Sequence, residues 1–508
     1  MTSRFYITTP IYYPNGEPHL GTVYATICAD VIARYHRLSG EDTFFLTGTD
    51  EHGIKMVKTA ADEGIGPAEL ANRNVAIFQS LWKEIDISHD FFIRTTSDAH
   101  KAAVAEIVRR LDKAGDIYLG SYGGWYDEGQ EEFVTETEAK AHEFKSAISG
   151  KPLTRFTEPS YFFRLSKYAA RVREHIEKNP DFIRPESRRN EVLSKLKDGV
   201  EDLSISRATL KWGIPMPHDP SHVLYVWIDA LSNYITALGY GSADSAQFEK
   251  FWPADLHLIG KEILWFHAVY WPAMLFSLNL PVPKQIFAHG WWTSGGRKMS
   301  KSLGNFIDLP RLRSLVSDYS LDALRYYLLR AAPFGTDMDF SDGDFAKSFQ
   351  ELSNVLGNCL NRIVKMIGGT LPPATEVEEI DRHLIAKVQA LPNDLAAAYR
   401  NLELQQCAML PVELARATNG YIDATEPFKL KGPNLAARKG TVLATAAEAI
   451  RQALIGLLPI LPHKATEGLS QLGIDATGKT MAELFAAPWP PGSILGQAKP
   501  LFPKLEAK

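Results

Sequence analysis

The chain has 508 residues, 45% of them hydrophobic and 23% charged, with a formal net charge of −5. That allows two to four domains with sizeable cores, excludes a disordered or fibrous chain, and excludes a uniformly basic nucleic-acid binder. No apolar run reaches the length of a membrane span, the start lacks a signal peptide's apolar core, and Cys28, Cys359 and Cys407 are too far apart for a zinc pair, so we expect no membrane, a reducing cytoplasm and no structural disulfide.

Residues 4–13, RFYITTPIYY, are β-branched and aromatic and end at Pro14-Asn15-Gly16, which predicts a buried strand and a turn. Residues 20–37 have helical periodicity, 43–49 (TFFLTGT) read as a second strand, and 54–64 and 67–85 as helices. A strand–helix–strand–helix start implies a parallel sheet with ligands at the carboxyl ends of its strands. From 116 to 222, frequent Gly, Pro and aromatic residues break the rhythm and mark an inserted domain. The α/β pattern resumes at 223–229 (VLYVWID), 255–260 (DLHLIG) and 286–289 (IFAH). From 317 the pattern is helical through about 470, and the Pro-rich tail after 488 is expected to run over the surface. The fold class is therefore α/β: a Rossmann-like parallel-sheet catalytic domain with an inserted connective domain, followed by a C-terminal α-helical bundle. Its boundaries are 1–115 and 223–290 for the two halves of the catalytic domain, 116–222 for the insertion, 291–345 for a lysine-bearing loop and the region after it, and 346–508 for the bundle.

Two segments carry chemistry. Pro18-His19-Leu20-Gly21-Thr22 places an imidazole and a glycine between a strand and a helix, where unpaired N–H groups favour anions. Arg297-Lys298-Met299-Ser300-Lys301-Ser302 places two lysines on a loop flanked by Gly295-Gly296 and Gly304, able to close and open. Each string is weak by itself: a lone histidine is usually a satisfied loop residue, and a lone lysine pair a solvated loop. In this order and on these elements they describe a site that binds ATP and supports attack at its α-phosphate, where catalysis is mostly positioning and charge stabilisation. Two basic stretches, Arg184 to Lys211 and Arg297 to Arg330, are candidates for a local RNA-facing stripe.

With HLGT at the first motif and KMSKS at the second, the chain resembles the class I aminoacyl-tRNA synthetases. Through TTPIYYPNGEPHLG, FFLTGTDEHG, EPSYFFRLSKY, DLSISR, YVWIDALSNYI, HLIGKEILWFHAVYWPAML and AHGWWTSGGRKMSKSLGN it resembles their methionyl family over nearly its whole length. The resemblance implies a two-step reaction: methionine and Mg-ATP give methionyl-adenylate, and the methionyl group then moves to the 3′ end of tRNA(Met), initiator or elongator. It implies catalytic roles for His19, Thr22, Lys298 and Lys301, and ATP contacts from Ile11, His19, Gly21, Gly260, Glu262, Met299 and Lys301. It implies a methionine pocket of Ile11, Tyr13, Asp50, Arg207, Trp227, Ala230, Leu231, Tyr234, Ile263, His267 and Trp271. An uncharged thioether suits such an aromatic, apolar pocket, and Asp50 suits the α-ammonium. Asn358, Arg362 and Phe428 match positions that read the anticodon, Phe428 standing where the family usually has Trp.

The sequence departs from the family in two further places. Thr22 replaces the second histidine of the first motif, so a hydroxyl or a water takes over its hydrogen bond. The cysteine pairs of the family's zinc knuckle are absent, with Asp127 and Gln130 where the first pair would be, so no zinc is expected. The insertion is too short for a large editing domain, and no C-terminal dimerising domain is recognisable, which favours a monomer. Gly473 to Thr480 (GIDATGKT) fits the Walker A pattern, but HKATEGLSQLG before it reads as helix, not the required strand, and we take the match as coincidence.

Overall fold

The structure is a computed structural model that describes residues 3–129, 132–134, 136–299 and 305–503. Lys301 and Gln130 lie outside the described residues. The chain divides into two units, Arg4–Pro18 with Thr43–His289, and Met1–Ser3 with His19–Asp42 and Gly290–Lys508.

In the first of these units, β1 (Arg4–Tyr12), β2 (Asp42–Thr49) and β3 (Phe91–Arg94) form one half of a six-stranded sheet. The order is β3-β2-β1, then Leu256–Gly260, Ile286–His289 and Ile183–Arg184. Ile7 and Thr8 pair in parallel with Leu256 and His257. The chain runs outward from β1 to β3 on one side and later returns on the other. The boundary between β1 and Leu256–Gly260 is thus a topological switch point, where open parallel sheets bind ligands. The apolar core behind it includes Tyr6, Leu46, Ile107, Ile259 and Trp271. Between β2 and β3 lie α2 (Ile54–Asp62) and α3 (Pro67–Glu84), the latter started by a proline that needs no N–H partner.

Three sequence expectations change here. The stretch 116–222 is not wholly separate: strands Ile117–Asp127, Glu132–Val134, Thr154–Phe163 and Leu203–Ser204 form their own sheet, but Ile183–Arg184 returns to the edge of the parallel sheet. VLYVWID is not a strand of that sheet. Asp219–Leu224 pairs antiparallel with Ser206–Arg207, and a helix begins at Val226. A short apolar run does not distinguish a strand from the first turn of a buried helix.

In the other unit, α1 (Leu20–Leu38) and helix Leu321–Arg330 pack beside a bundle built mainly from Glu379–Arg400, Leu404–Thr425 and Ala436–Leu457. Small residues let the last of these pack closely: a Cβ on Gly456 would lie 2.8 Å from Leu395. The helical region is interrupted by strand Met338–Phe340, which pairs with Trp292–Ser294. The third change is an addition: the tail runs over the surface, as expected, but is pinned there. Leu501 and Phe502 are buried, and the Ser353 hydroxyl donates to the Phe502 carbonyl at 3.1 Å, so apolar anchors hold a Pro-rich segment against the bundle. The Walker-like run follows helix Pro462–Gln471, and Lys479 donates to the Asp475 carbonyl at 2.8 Å in its own turn. It has neither the strand nor the long helix of a phosphate loop.

Candidate active site

One cluster forms where β1, β2 and Leu256–Gly260 end. Ile11 and Tyr12 close β1, with Tyr13 next, and the Asp50 N–H donates to the Tyr12 carbonyl at 2.9 Å. Gly260 ends its strand and leads into the tight turn Lys261–Ile263, which carries Glu262 and Ile263. A Cβ on Gly260 would meet the Glu262 carboxylate at 2.4 Å, so only glycine lets that side chain fold back over the backbone.

Helix Val226–Thr236 supplies Trp227, Ala230, Leu231 and Tyr234, whose spacing puts them on one face. Leu231, Tyr234 and Trp271 belong to the core, with Ile11, Trp227 and Ile263 packed at its edge. Trp227 stacks on Phe266, ring centroids 3.6 Å apart and planes 9° apart. His267 lies in a π-turn, Phe266–Tyr270, a rare geometry enriched at functional sites. Its Nδ1–H donates to the Ile263 carbonyl at 2.9 Å, so its Nε2 accepts from the Tyr234 hydroxyl at 2.7 Å. Burial pushes the imidazole down to about 4, so the ring is neutral. Trp271 is fully buried, its Nε1–H donating to His257 Nε2 at 3.2 Å. It lies 6.0 Å from the Tyr234 ring and forms the wall behind it.

Arg207 is buried beside this cluster. Its guanidinium lies 4.2 Å over the Tyr225 ring and donates to the Ser204 hydroxyl and the Ser206 carbonyl, both at 2.7 Å. It lines a cavity of about 110 Å³ with Gly53, Tyr126, Glu128 and Tyr225.

Sequence reasoning took Asp50 from Asp50-Glu51-His52 and passed over its neighbours. Glu51 is fully buried. His52 Nδ1 bonds Asp229 at 2.6 Å, and His100 Nε2 bonds the other oxygen of Asp229 at 2.7 Å. Burial works to raise the Asp229 carboxyl, but the two imidazoles outweigh it and hold the group down at about 2. The available signal was a lone acid inside an apolar helix start, Val226-Trp227-Ile228-Asp229.

The other unit holds His19 and the described part of the lysine-bearing loop. His19 is the N-cap of α1, its Nδ1 accepting from the Gly21 N–H at 3.1 Å. The neutral ring therefore carries its proton on Nε2, which is a donor. A Cβ on residue 21 would lie 3.0 Å from the His19 ring, so Gly21 also makes room for the cap. Thr22 is buried in the first turn. Strands Trp292–Ser294 and Arg297–Lys298 form a hairpin through Gly295 and Gly296, whose φ of 62° and 70° suit the two-residue turn that joins twisted strands. Met299 follows, half-buried. Past the undescribed 300–304, the Asn305 amide donates to the Ser294 carbonyl at 3.1 Å, the Phe306 ring meets the His19 ring edge-on at 5.3 Å, and the Leu20 N–H donates to the Ile307 carbonyl at 3.3 Å. The segment Asn305 to Ile307 is docked on the first turn of α1.

Several members of the two basic stretches are paired with acids. Arg184, Arg188, Arg311 and Arg330 pair with Asp181, Glu191, Asp342 and Glu351, and Arg325 is buried against Asp30. In the bundle, Asn358 is exposed at the start of helix Asn358–Ile367, Arg362 pairs with Asp423 at 2.7 Å, and Phe428 is 50% exposed rather than core. Among the described residues no group of three or more His, Cys, Asp and Glu is placed to hold a metal, and no helix is long and apolar enough to cross a membrane. Asp127 instead accepts from the Gly129 N–H at 2.8 Å.

The family model described as tRNA synthetases class I (M) matches residues 5–142 and 137–364. A methionine–tRNA ligase of Enterococcus faecalis is 45% identical over 520 residues, covering 99% of this chain and 77% of its own length. That of Bacillus subtilis is 44% identical over 526 residues, covering 100% and 78%. The structure of Mycobacterium tuberculosis methionyl-tRNA synthetase in complex with methionyl-adenylate superposes with a TM-score of 0.94 at 39% identity, covering 99% of this chain and 100% of that one. On that agreement of family model, relatives and fold, the chain belongs to the class I methionyl-tRNA synthetases.

Proposed function

We propose that this chain activates L-methionine with ATP and transfers it to tRNA(Met), releasing pyrophosphate and then AMP. The observation that carries the reading is the near-complete superposition on a relative holding methionyl-adenylate. In the first step a methionine carboxylate oxygen attacks the α-phosphorus, and the bond to the bridging oxygen of pyrophosphate breaks. In the second, the terminal ribose hydroxyl of the tRNA attacks the methionyl carbonyl, and AMP leaves.

We assign roles by chemistry. Asp50 takes the α-ammonium, and Trp227, Tyr234 and the neutral His267 surround the thioether without presenting a charge to it. Ile11, Tyr13, Ala230, Leu231 and Ile263 complete the apolar wall, with Trp271 behind and Arg207 beside it. Gly260 and Glu262 meet the ribose, and Met299 meets the adenine. His19 Nε2–H, Thr22, Lys298 and Lys301 stabilise charge on the α-phosphate and pyrophosphate of Mg-ATP. Gly21 carries no side chain to obstruct approach of the phosphates to the first turn of α1. Asn358, Arg362 and Phe428 read the anticodon. We place the enzyme in the cytoplasm as a monomer without zinc.

Methionine-dependent ATP–pyrophosphate exchange together with charging of tRNA(Met) tests the reading. Exchange with methionine and none with leucine or isoleucine is expected, and absence of exchange in folded protein overturns it. Elemental analysis of purified protein should find zinc well below one atom per chain, and sedimentation should give a single-chain mass.

A further inference from the structure

Residue 51 is held on every side. Its carboxylate Oε1 accepts from the Thr49 hydroxyl at 2.7 Å and from Arg94 Nε at 2.8 Å, and Oε2 accepts from Arg94 Nη2 at 2.7 Å and the Thr96 hydroxyl at 2.5 Å. Its N–H donates to the Thr95 hydroxyl at 2.9 Å, and its carbonyl accepts from Trp212 Nε1 at 2.6 Å. Four donors therefore satisfy a carboxylate that is fully buried, and both peptide planes flanking the residue are pinned. A peptide is planar, so fixing the Glu51 N–H fixes the plane that starts at Asp50, and fixing its carbonyl fixes the plane that ends at His52. Asp50 is also tied through its own N–H to the end of β1.

A buried ion pair contributes little net stability compared with an apolar pair of the same volume, and its best-attested use is to specify one arrangement. Arg94 ends β3 and is partly exposed, with its guanidinium also reaching the Asn72 amide oxygen at 2.7 Å, so the clamp ties the end of β2 to its neighbouring strand and to α3.

We infer that the Glu51–Arg94 pair, with Thr96 and Trp212, positions Asp50 for the substrate ammonium, and so sets the enzyme's affinity for its amino-acid substrate without touching that substrate. The inference rests on the reading of Asp50 given above. An Asp50 carboxylate displaced by even a fraction of an ångström weakens a charge-assisted hydrogen bond, whereas the ATP-facing groups belong to other segments of the chain.

The test uses the full chain with Glu51→Gln, Arg94→Gln and the double variant Glu51→Gln/Arg94→Gln, assayed by ATP–pyrophosphate exchange and by direct binding of methionine without ATP. Glu51→Gln is expected to raise both KM and Kd for methionine by about fivefold to tenfold, with kcat and KM for ATP within about twofold. Arg94→Gln should act in the same direction and more strongly, because it leaves a buried carboxylate unpaired, and the double variant should recover part of that loss. If all three variants lower the melting temperature yet keep the methionine KM and Kd of the parent, the clamp is only structural and the inference falls. Equal rises in KM for ATP and methionine overturn it as well. A parent protein without methionine-dependent exchange refutes the enzymatic reading instead, so the two failures are distinguishable.

Discussion

Tyr234 and His267 are joined by one hydrogen bond of 2.7 Å whose direction is settled elsewhere: Nδ1 is committed to the Ile263 carbonyl, so Nε2 accepts and the tyrosine hydroxyl donates. The pair is a neutral, polarisable unit set in the apolar core, a character that suits a neighbouring thioether and disfavours a charged side chain.

The neutrality of His267 has a pH signature. Burial lowers its folded value to about 4, and His257 is driven down in the same direction. The unfolded chain takes up these protons near the usual value of about 6.5 while the folded chain does not. Stability is therefore fully present above about pH 6.5 and falls as pH drops towards 4, by on the order of 3 kcal/mol for His267. Urea midpoints measured across that window should show the fall, and a His267→Gln variant should show a shallower one. Equal slopes would contradict the assignment.

Under the proposed function His19 has two roles that one substitution can separate. Its Nδ1 caps α1, and asparagine is a good cap, so His19→Asn should leave the melting temperature close to that of the parent. The Nε2 donor is lost, and methionine activation should fall by about a hundredfold or more. Loss of stability in parallel with loss of rate would mean that the cap, not the donor, matters.

Thr22 is asked for less. Replacing its hydroxyl in Thr22→Val should slow activation within about tenfold, read by single-turnover adenylate formation. An unchanged rate would remove Thr22 from the mechanism and leave the missing second histidine to be replaced by water.

Phe428 stands half in solvent near the helix end that carries Asp423, the partner of Arg362. Base stacking on an aromatic ring contributes about 1–3 kcal/mol, so Phe428→Ala should weaken tRNA(Met) binding by about tenfold, and Phe428→Trp should tighten it. Pyrophosphate exchange should not change in either. A Trp variant that binds tRNA more weakly would refute stacking as the role of this position.

Asp30 on α1 and Arg325 on Leu321–Arg330 form a fully buried pair at 2.6 Å, and Arg325 also donates to the Ile460 and Pro459 carbonyls. Arg325→Met should cost about 2–3 kcal/mol because it removes one of two arginines from a fully buried carboxylate, Arg34 Nε keeping its bond to Asp30 at 2.7 Å, and pairing it with Asp30→Leu should recover part of that loss. Thermal unfolding of the two variants decides it. A double variant no more stable than the single would show that the carbonyl contacts dominate.

The parts of the fold legible in the sequence were those with local causes. The apolar run of β1, the turn at Pro14–Gly16 and the period of α1 all act between residues close in the chain, and the structure has each element within about a residue of expectation. The misread run at Val226 and the unforeseen anchors of the tail had the same origin: an apolar tetrapeptide or a proline-rich stretch does not carry information about what it will pack against. Leu501 and Phe502 find a hydrophobic seat that nothing in their neighbourhood announces.

The sequence by itself determined the family and the order of the two motifs, because residue type over long matching segments records those choices directly. Only the tertiary structure decided that Glu51 is clamped by Arg94, that Asp229 lies between His52 and His100, and that His267 is neutral. Those facts depend on which distant residues share a hydrogen bond and on how far water is kept away, and both are properties of the folded path rather than of any stretch of the chain.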